Sequence, residues 1–346
     1  MKIFYGVQGT GNGHITRARA IAQKFKGKDV QVDWLFTGRP KDQFFEMEAF
    51  GDYQWRAGLT FATSHGNIQY IQTALRNNLI EFIRDIRNLD LSGYDLVVTD
   101  FEPVTAWAAK MQGIKTVGIG HQYAFGHKIP IAGNDVLGLW ILKYFAPATV
   151  GLGVHWHHFN GPILPPIIET KAPDGGHKPG KIIVYLPFED VQEVITLLKA
   201  YTDFEFHVYN PGGARPTGGD ASHIQVKGLS RHEFQKDFSD CAGVITNAGF
   251  ELPSESLHMG KKLLVKPLHG QVEQLCNALA LAELGLADVM HDLDTAKIES
   301  WLAKESAHLI RFPDVPAAVV DWLMQGKLEV DQSWIEEIWD RCERIN

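Results

Sequence analysis

Short apolar runs alternate with stretches of helical periodicity through most of the chain, and this alternation limits the folds open to it. Residues 2–7 (KIFYGV) are mostly β-branched or aromatic. In residues 15–25, Ile15, Ala18, Ile21, Ala22 and Phe25 recur three or four apart, which places one apolar face on a helix. Between the two lies GTGNGH, residues 9–14. The unit is therefore strand, glycine loop, helix. Further strands are predicted at 30–36, 94–100 and 115–120, with helices at 67–89 and 104–111. The first of those helices carries Ile68, Ile71, Leu75, Leu79, Phe82 and Ile86 on one face. Strands joined by helices form parallel sheets covered on both faces, so the expected class is α/β.

A second series opens at residues 181–186 (KIIVYL). Helices at 190–200 and 230–239 and strands at 205–209, 223–227 and 243–246 continue it. Between 146 and 180 the alternation stops, and prolines, glycines and histidines dominate. That composition reads as a domain boundary with a stiff linker. At 346 residues the chain is long enough for two cores. The expected division is residues 1–160, a linker at 161–180, a second domain at 181–325 and a helical tail at 326–346.

A net charge of -8 argues against a broad nucleic-acid surface. The cysteines, at 241, 276 and 342, are too scattered for a metal framework and suit a reducing compartment. The opening MKIFYGVQG has none of the features of a secretory signal, and the apolar stretch 136–154 is broken by Lys143 and Pro147. A cytoplasmic location is expected. His155, His157 and His158 have no cysteine or carboxylate nearby to complete a metal set and read as a surface or interface feature; Asp292-Leu293-Asp294 looks like a metal-binding DxD triplet but lies in a polar run, and that reading is set aside.

A glycine loop between strand and helix exposes N–H groups that bind anions. A dinucleotide fingerprint would end in a third glycine and place an acid at the end of the second strand. Here His14 stands in the glycine position and the second strand ends in Thr37-Gly38-Arg39, which sets that reading aside. His14, at the loop tip, is a candidate general base, because a neutral imidazole takes a proton from a hydroxyl near pH 7. Its alternative is a helix cap. Asp100, ending its strand, can hold the imidazole tautomer; Glu102 is the rival, and either can cap the helix near Pro103. His121 ends another strand at the same crevice. Arg17 and Arg19 read as helix-surface or interdomain charges, or as a reach toward an acidic ligand.

The second candidate region runs from 246 to 278. Asn247, Ala248 and Gly249 make a turn into a short helix, with Pro253 in its first turn and Gly260 at its stop. The start of that helix is an anion seat. Glu255 either complements the helix dipole or takes the two hydroxyls of a ribose. Gln271, Glu273, Gln274 and Asn277 suit a hydroxyl-rich ligand, since amides both donate and accept, or form a solvated loop.

TNAGFELPSE (246–255) and EQLCNA (273–278) together resemble the donor-binding region of GT-B glycosyltransferases that use nucleotide sugars. GTGNGH is similar to the glycine loop of the enzyme that adds N-acetylglucosamine to the lipid precursor of peptidoglycan. The resemblance implies two Rossmann-like domains facing across a cleft. The first would bind the acceptor and the second a nucleotide sugar, UDP-linked and with UDP-N-acetylglucosamine as a candidate. No further cofactor, no metal and no nucleic-acid partner are implied. Gly11, Asn12, Gly13, Asn247, Ala248, Gly249, Phe250 and Glu251 would belong to the donor site, with Asn247 and Gly249 in the places that meet the diphosphate. Glu255 would hold the ribose, and Glu273 and Gln274, flanked by Gln271 and Asn277, the sugar. His14 with Asp100 matches the base pair of plant-type relatives, and His121 falls on the acceptor side. The acceptor class is open among saccharide, lipid-linked and small molecules. Residues 136–148 either wall the acceptor cleft or associate peripherally with the inner face of a membrane. Asn247 stands where plant-type enzymes have a histidine, and the full N-domain signature of the peptidoglycan enzyme is absent, so its acceptor is not implied. A UDP-sugar 2-epimerase of the same fold and a non-catalytic nucleotide-sugar binder are the alternatives.

Overall fold

Strand β1 (Lys2–Gln8) is buried from Ile3 onward, as an apolar run must be when helices cover both faces of a sheet. The computed structural model describes residues 1–60, 63–64, 67–68, 78–133, 135–169, 178–214, 221–305, 307–326 and 328–345. Strands β2 (Gln31–Thr37) and β3 (Gln54–Trp55) extend the first sheet on one side of β1. A small antiparallel pair, β4 (Thr63–Ser64) and β5 (Asn67–Ile68), stands apart from it. Strands β6 (Leu96–Asp100), β7 (Thr116–Gly120), β8 (Val150–Val154) and β9 (Ile163–Leu164) complete the first sheet in the order β3-β2-β1-β6-β7-β8-β9, all parallel. The direction of winding reverses between β1 and β6, which opens a crevice at their C-terminal ends. There Val7 pairs with Asp100.

The second sheet contains β10 (Lys178–Tyr185), β11 (Glu205–Tyr209), β12 (Ile224–Lys227), β13 (Cys241–Asn247), β14 (Lys262–Lys266) and β15 (Asp288–Val289). Its order is β12-β11-β10-β13-β14-β15, again parallel, with its switch point between β10 and β13. Tyr185 pairs with Thr246 at that point. The fold is thus two Rossmann-like α/β units.

Helices α1 (Asn12–Phe25), α2 (Leu79–Asn88), α3 (Pro103–Met111) and α4 (Val136–Tyr144) belong to the first half. Helices α5 (Val191–Leu198), α6 (Arg231–Asp240), α7 (Glu251–His258), α8 (Val272–Glu283) and α9 (Thr295–Leu302) belong to the second. Helix α1 buries Ile15, Ala18, Ile21, Ala22 and Phe25, the face expected from periodicity. Helices α10 (Val315–Gln325) and α11 (Gln332–Trp339) return to the first half: α10 packs on α1, Lys28 Nζ lies 2.7 Å from Asp321, and Trp339 Nε1 donates to Ile163 O at 2.7 Å.

Three expectations change. Asn67 and Ile68 are in a strand, and the helix starts only at Leu79, where the Asn78 side chain accepts from Glu81 N at 3.1 Å; residues 69–77, with Ile71 and Leu75, lie outside the described residues. The stretch 146–180 contains β8 and β9, hidden by glycines: a Cβ on Gly153 would come within 2.7 Å of the Ala124 backbone, so close packing requires the residue that breaks the apolar pattern. The tail does not end as a helix. Strand β17 (Glu343–Ile345) pairs antiparallel with β16 (Leu309–Arg311).

Candidate active site

His14 sits in the first turn of α1, one residue beyond Gly13, so its ring faces the crevice beside the end of β6. Its Nδ1 lies 2.7 Å from Asp100 Oδ1, and its side chain is 17% exposed, toward a cavity of about 1000 Å³ between the two halves. Asp100 is wholly buried. Burial opposes its charge, but the Arg17 guanidinium and His14 hold its carboxyl below the usual carboxylate range. Phe101, the next residue, adopts φ 52° and stacks near His14 at 6.4 Å. A left-handed backbone at a bulky residue costs about 1–3 kcal/mol and is found where a site over-determines the chain.

Arg17 lies one turn after His14 on the same face of α1 and is 1% exposed. Its Nε donates to Asp100 Oδ2 at 2.8 Å and its Nη2 to Asp100 Oδ1 at 2.5 Å. Its Nη1 donates to Glu251 Oε1, at the start of α7 in the other half. Arg17 is therefore an interdomain charge, not a surface one. Nη2 also lies 2.8 Å from His14 Nδ1. A protonated Nδ1 donates to Asp100 and leaves Nε2 free to accept; an unprotonated Nδ1 would accept from Arg17. Ionised Asp100 favours the first arrangement. One guanidinium faces two buried carboxyls. Asp100 takes the two-point contact and keeps its charge, whereas burial, with Asp100 and Glu255 nearby, pushes Glu251 up to about 8.

A second cavity, of about 460 Å³, lies between α1 and helices α6 and α7. Glu255, Arg231, Glu169 and Tyr209 line it. Burial, reinforced by Glu169 and opposed by Arg231, pushes Glu255 up to about 7. Arg231 instead pairs with Glu169 at 2.8 Å. Asn12, Gly13, Tyr185, Glu251 and Leu252 line both cavities, so a common wall separates the Glu255 compartment from the His14 compartment. Gly13 belongs there for steric reasons: a Cβ would lie 2.8 Å from Glu251 Cγ. The opening turn of α7 reaches the larger cavity through Gly249, Phe250, Glu251 and Leu252. The first N–H groups of a helix have no partner within it, which suits that face to an anion. A Cβ on Gly249 would meet nothing within 4 Å, so its missing side chain leaves open space.

The sequence matches glycosyl transferase family 1 over residues 1–129 and 155–305. The chain belongs to that family. Its two sheets form the GT-B arrangement. MurG of Acinetobacter baumannii superposes with TM-score 0.53 at 16% identity, covering 94% of this chain and 99% of that one. LpCGTa in complex with UDP gives TM-score 0.60 at 12% identity, covering 98% and 97%. Arabidopsis thaliana UGT89C1 complexed with UDP gives 0.53 at 11% identity, covering 98% and 97%. No curated protein matches in sequence.

Several expected site residues of this glycosyltransferase serve its interior instead. Glu102 is wholly buried, and its carboxylate caps α3, accepting from Val104 N at 2.8 Å, Thr105 N at 2.6 Å and Thr37 Oγ1 at 3.0 Å. It is a helix cap, not a partner of His14. His121 has both nitrogens occupied: Nδ1 is 2.9 Å from Val154 O and Nε2 is 2.6 Å from Asn277 Oδ1. Asn277 in turn donates to Ala248 O at 3.0 Å. His121 and Asn277 thus fasten the two halves together, and Ala248 faces protein. The Phe250 ring is stacked 4.2 Å from His121 and packs 4.8 Å from Trp156, which holds it against the first half.

Asn247 donates its amide to Lys266 O at 3.0 Å, which leaves its buried Oδ1 unpartnered. An acceptor oxygen cannot bind phosphate; it suits a hydroxyl or an N–H. Gln274 Oε1 accepts from Leu268 N at 3.0 Å, and Gln271 Oε1 is buried without a partner. Glu273 accepts from Gln122 Nε2, across the cleft, at 3.0 Å. Gln122 was not anticipated; it follows His121 directly at the end of β7, and that adjacency was the available signal. Asp294 caps α9. His155, His157 and His158 accept from the backbone N–H groups of Trp156, Phe159 and Asn160, at 2.8 Å for His155.

Proposed function

We propose that this glycosyltransferase takes its sugar from a nucleoside diphosphate, UDP in particular, and transfers it to an acceptor hydroxyl. The observation that carries the reading is the wall shared by the two cavities. A nucleotide sugar has three parts in a row, and the site offers three surfaces in a row. The nucleoside lies in the smaller cavity with its ribose hydroxyls on Glu255. The diphosphate crosses at Asn12 and Gly13, against the start of α7. The sugar, with N-acetylglucosamine as the first candidate, enters the larger cavity toward Glu273, Gln274 and Asn247. LpCGTa and UGT89C1, of like fold, are both described with UDP.

In the transfer, His14 Nε2 takes the proton of the acceptor hydroxyl while Nδ1–H donates to Asp100. The oxygen attacks the anomeric carbon, and the bond to the diphosphate breaks. Charge developing on the leaving group falls at the helix start, whose dipole favours it without any metal in the scheme. The first half presents the acceptor, the second sheet and its helices hold the donor, and α10 and α11 brace the first half. Ile141, Leu142 and Phe145 line the larger cavity, and Leu79, Ile80, Trp140 and Tyr144 are exposed on α2 and α4. These apolar faces suit an acceptor with a lipid-like portion, approached at a membrane surface. No helix among the described residues is long and apolar enough to cross one.

A thermal-shift panel of nucleoside diphosphates and their sugars tests the reading. UDP at about 100 times its dissociation constant is expected to add about 2.7 kcal/mol to stability. Glu255→Ala is expected to weaken that effect. No shift with any nucleoside diphosphate would sink the donor site, and an undiminished UDP shift in Glu255→Ala would sink the ribose assignment. Conversion of UDP-N-acetylglucosamine to its epimer without an acceptor would replace transfer by epimerisation.

A further inference from the structure

Arg39 is a cation without an acid. It ends the turn after β2, where its Nε donates to Gly9 O and its Nη2 to Asn12 Oδ1 at 3.0 Å. The guanidinium lies 5.2 Å from the Phe44 ring centroid. Both anchors are neutral oxygens of the glycine loop, and no carboxylate among the described residues pairs with it. The other cations lining the larger cavity are Arg17 and Lys41. Arg17 is consumed by Asp100 and Glu251. Lys41 sits on Tyr53, 5.8 Å from its ring centroid.

A half-buried charge normally has a counter-charge, because desolvation otherwise opposes it. Burial lowers the Arg39 pKa to about 10, and the group remains charged at neutral pH. Its anchor Asn12 belongs to the wall between the two cavities and also donates to Tyr185 Oη at 3.4 Å, from the other half. The start of α7, Glu251 and Leu252, belongs to the same wall. The loop after β10, Leu186-Pro187-Phe188, supplies no cation from the second half. A negative ligand crossing the wall would meet both helix N–H groups and a pre-anchored guanidinium.

We propose that Arg39, held by Gly9 and Asn12, is the counter-charge for the diphosphate of the donor, so that the first half supplies the cation that stabilises the leaving group. This rests on the nucleotide-sugar reading above. A planar fork already fixed by two hydrogen bonds loses little freedom on binding, and guanidinium–phosphate contacts are commonly two-point.

Calorimetric titration of UDP, uridine and inorganic pyrophosphate into wild type, Arg39→Gln and Arg39→Lys tests it, with thermal melts confirming that each variant is folded. The expected result is a tenfold or greater loss of UDP and pyrophosphate affinity in Arg39→Gln, a smaller loss in Arg39→Lys, and unchanged uridine affinity. Unchanged UDP affinity in a folded Arg39→Gln overturns the proposal, as does an equal loss for uridine. Should wild type bind pyrophosphate through Arg39 but no nucleotide, the anion site stands and the nucleotide reading falls. Should wild type bind neither, both fall.

Discussion

Replacing His14 by alanine is expected to lower the turnover of sugar transfer by about 10²–10⁴-fold, the usual contribution of a general base, while UDP binds as before. The separation follows from geometry. His14 faces the larger cavity, whereas the proposed nucleoside contact, Glu255, lines the smaller one. Asp100→Asn is expected to reduce turnover as well, because an amide can donate to Nδ1 and so favour the wrong tautomer. Glu102→Gln is the control. It leaves His14 and Asp100 untouched and weakens a helix cap worth about 1 kcal/mol. Steady-state kinetics with saturating donor, together with a UDP titration, separate the three variants. A His14→Ala enzyme with near-normal turnover would remove the base assignment. A Glu102→Gln enzyme that lost turnover without losing stability would restore the rival carboxylate.

The largest stability effect is expected on α6, which lines the smaller cavity and not the His14 compartment. Asp237, on α6, is buried and accepts from Lys227 Nζ at 2.6 Å, His207 Nδ1 at 2.7 Å, Lys181 Nζ at 2.9 Å and Tyr209 Oη at 2.7 Å. Burial opposes its charge, but these donors hold its carboxyl well below the usual range. Removing the acceptor in Asp237→Ala strands the buried Lys181 ammonium with less counter-charge. Breaking a buried pair in this way costs about 3–5 kcal/mol. Asp237→Asn, which keeps one acceptor oxygen, is expected to lose less. Because the folded carboxyl has a depressed pKa, its stabilisation is present above the unfolded value of 3.8 and is lost as pH falls through the folded one. Urea unfolding of wild type from neutral to acid pH is expected to show that loss, and Asp237→Ala to show a shallower dependence. Equal stability of variant and wild type at neutral pH would mean that the cluster contributes nothing net.

The alternation of strands and helices was legible because each buried strand is a continuous apolar run and each helix has one apolar face. His14 and Asp100 could be brought together for the same reason: both follow strands of one parallel sheet, and such sheets gather their C-terminal loops at the switch point. Glycines concealed β8, because Gly153 is needed for contact with Ala124 and therefore interrupts the pattern. Strand β17 is legible only through its partner β16, which precedes it by more than thirty residues. Polar side chains were hardest to read. Asn277, His121 and Glu102 have the residue types of a binding site, yet their atoms are occupied by Ala248, Val154 and the start of α3. No spacing rule distinguishes a polar group facing a ligand from one facing backbone. Arg17 carried a local signal, its place one turn after His14, but its second partner, Glu251, is 234 positions away.

The most direct test of the donor site is a crystal structure grown with UDP. Ribose hydroxyls on the Glu255 carboxylate in the smaller cavity, with the diphosphate crossing at Asn12 and Gly13 toward the start of α7, is the predicted result. A nucleotide bound elsewhere, or one whose ribose lies out of reach of Glu255, would contradict it.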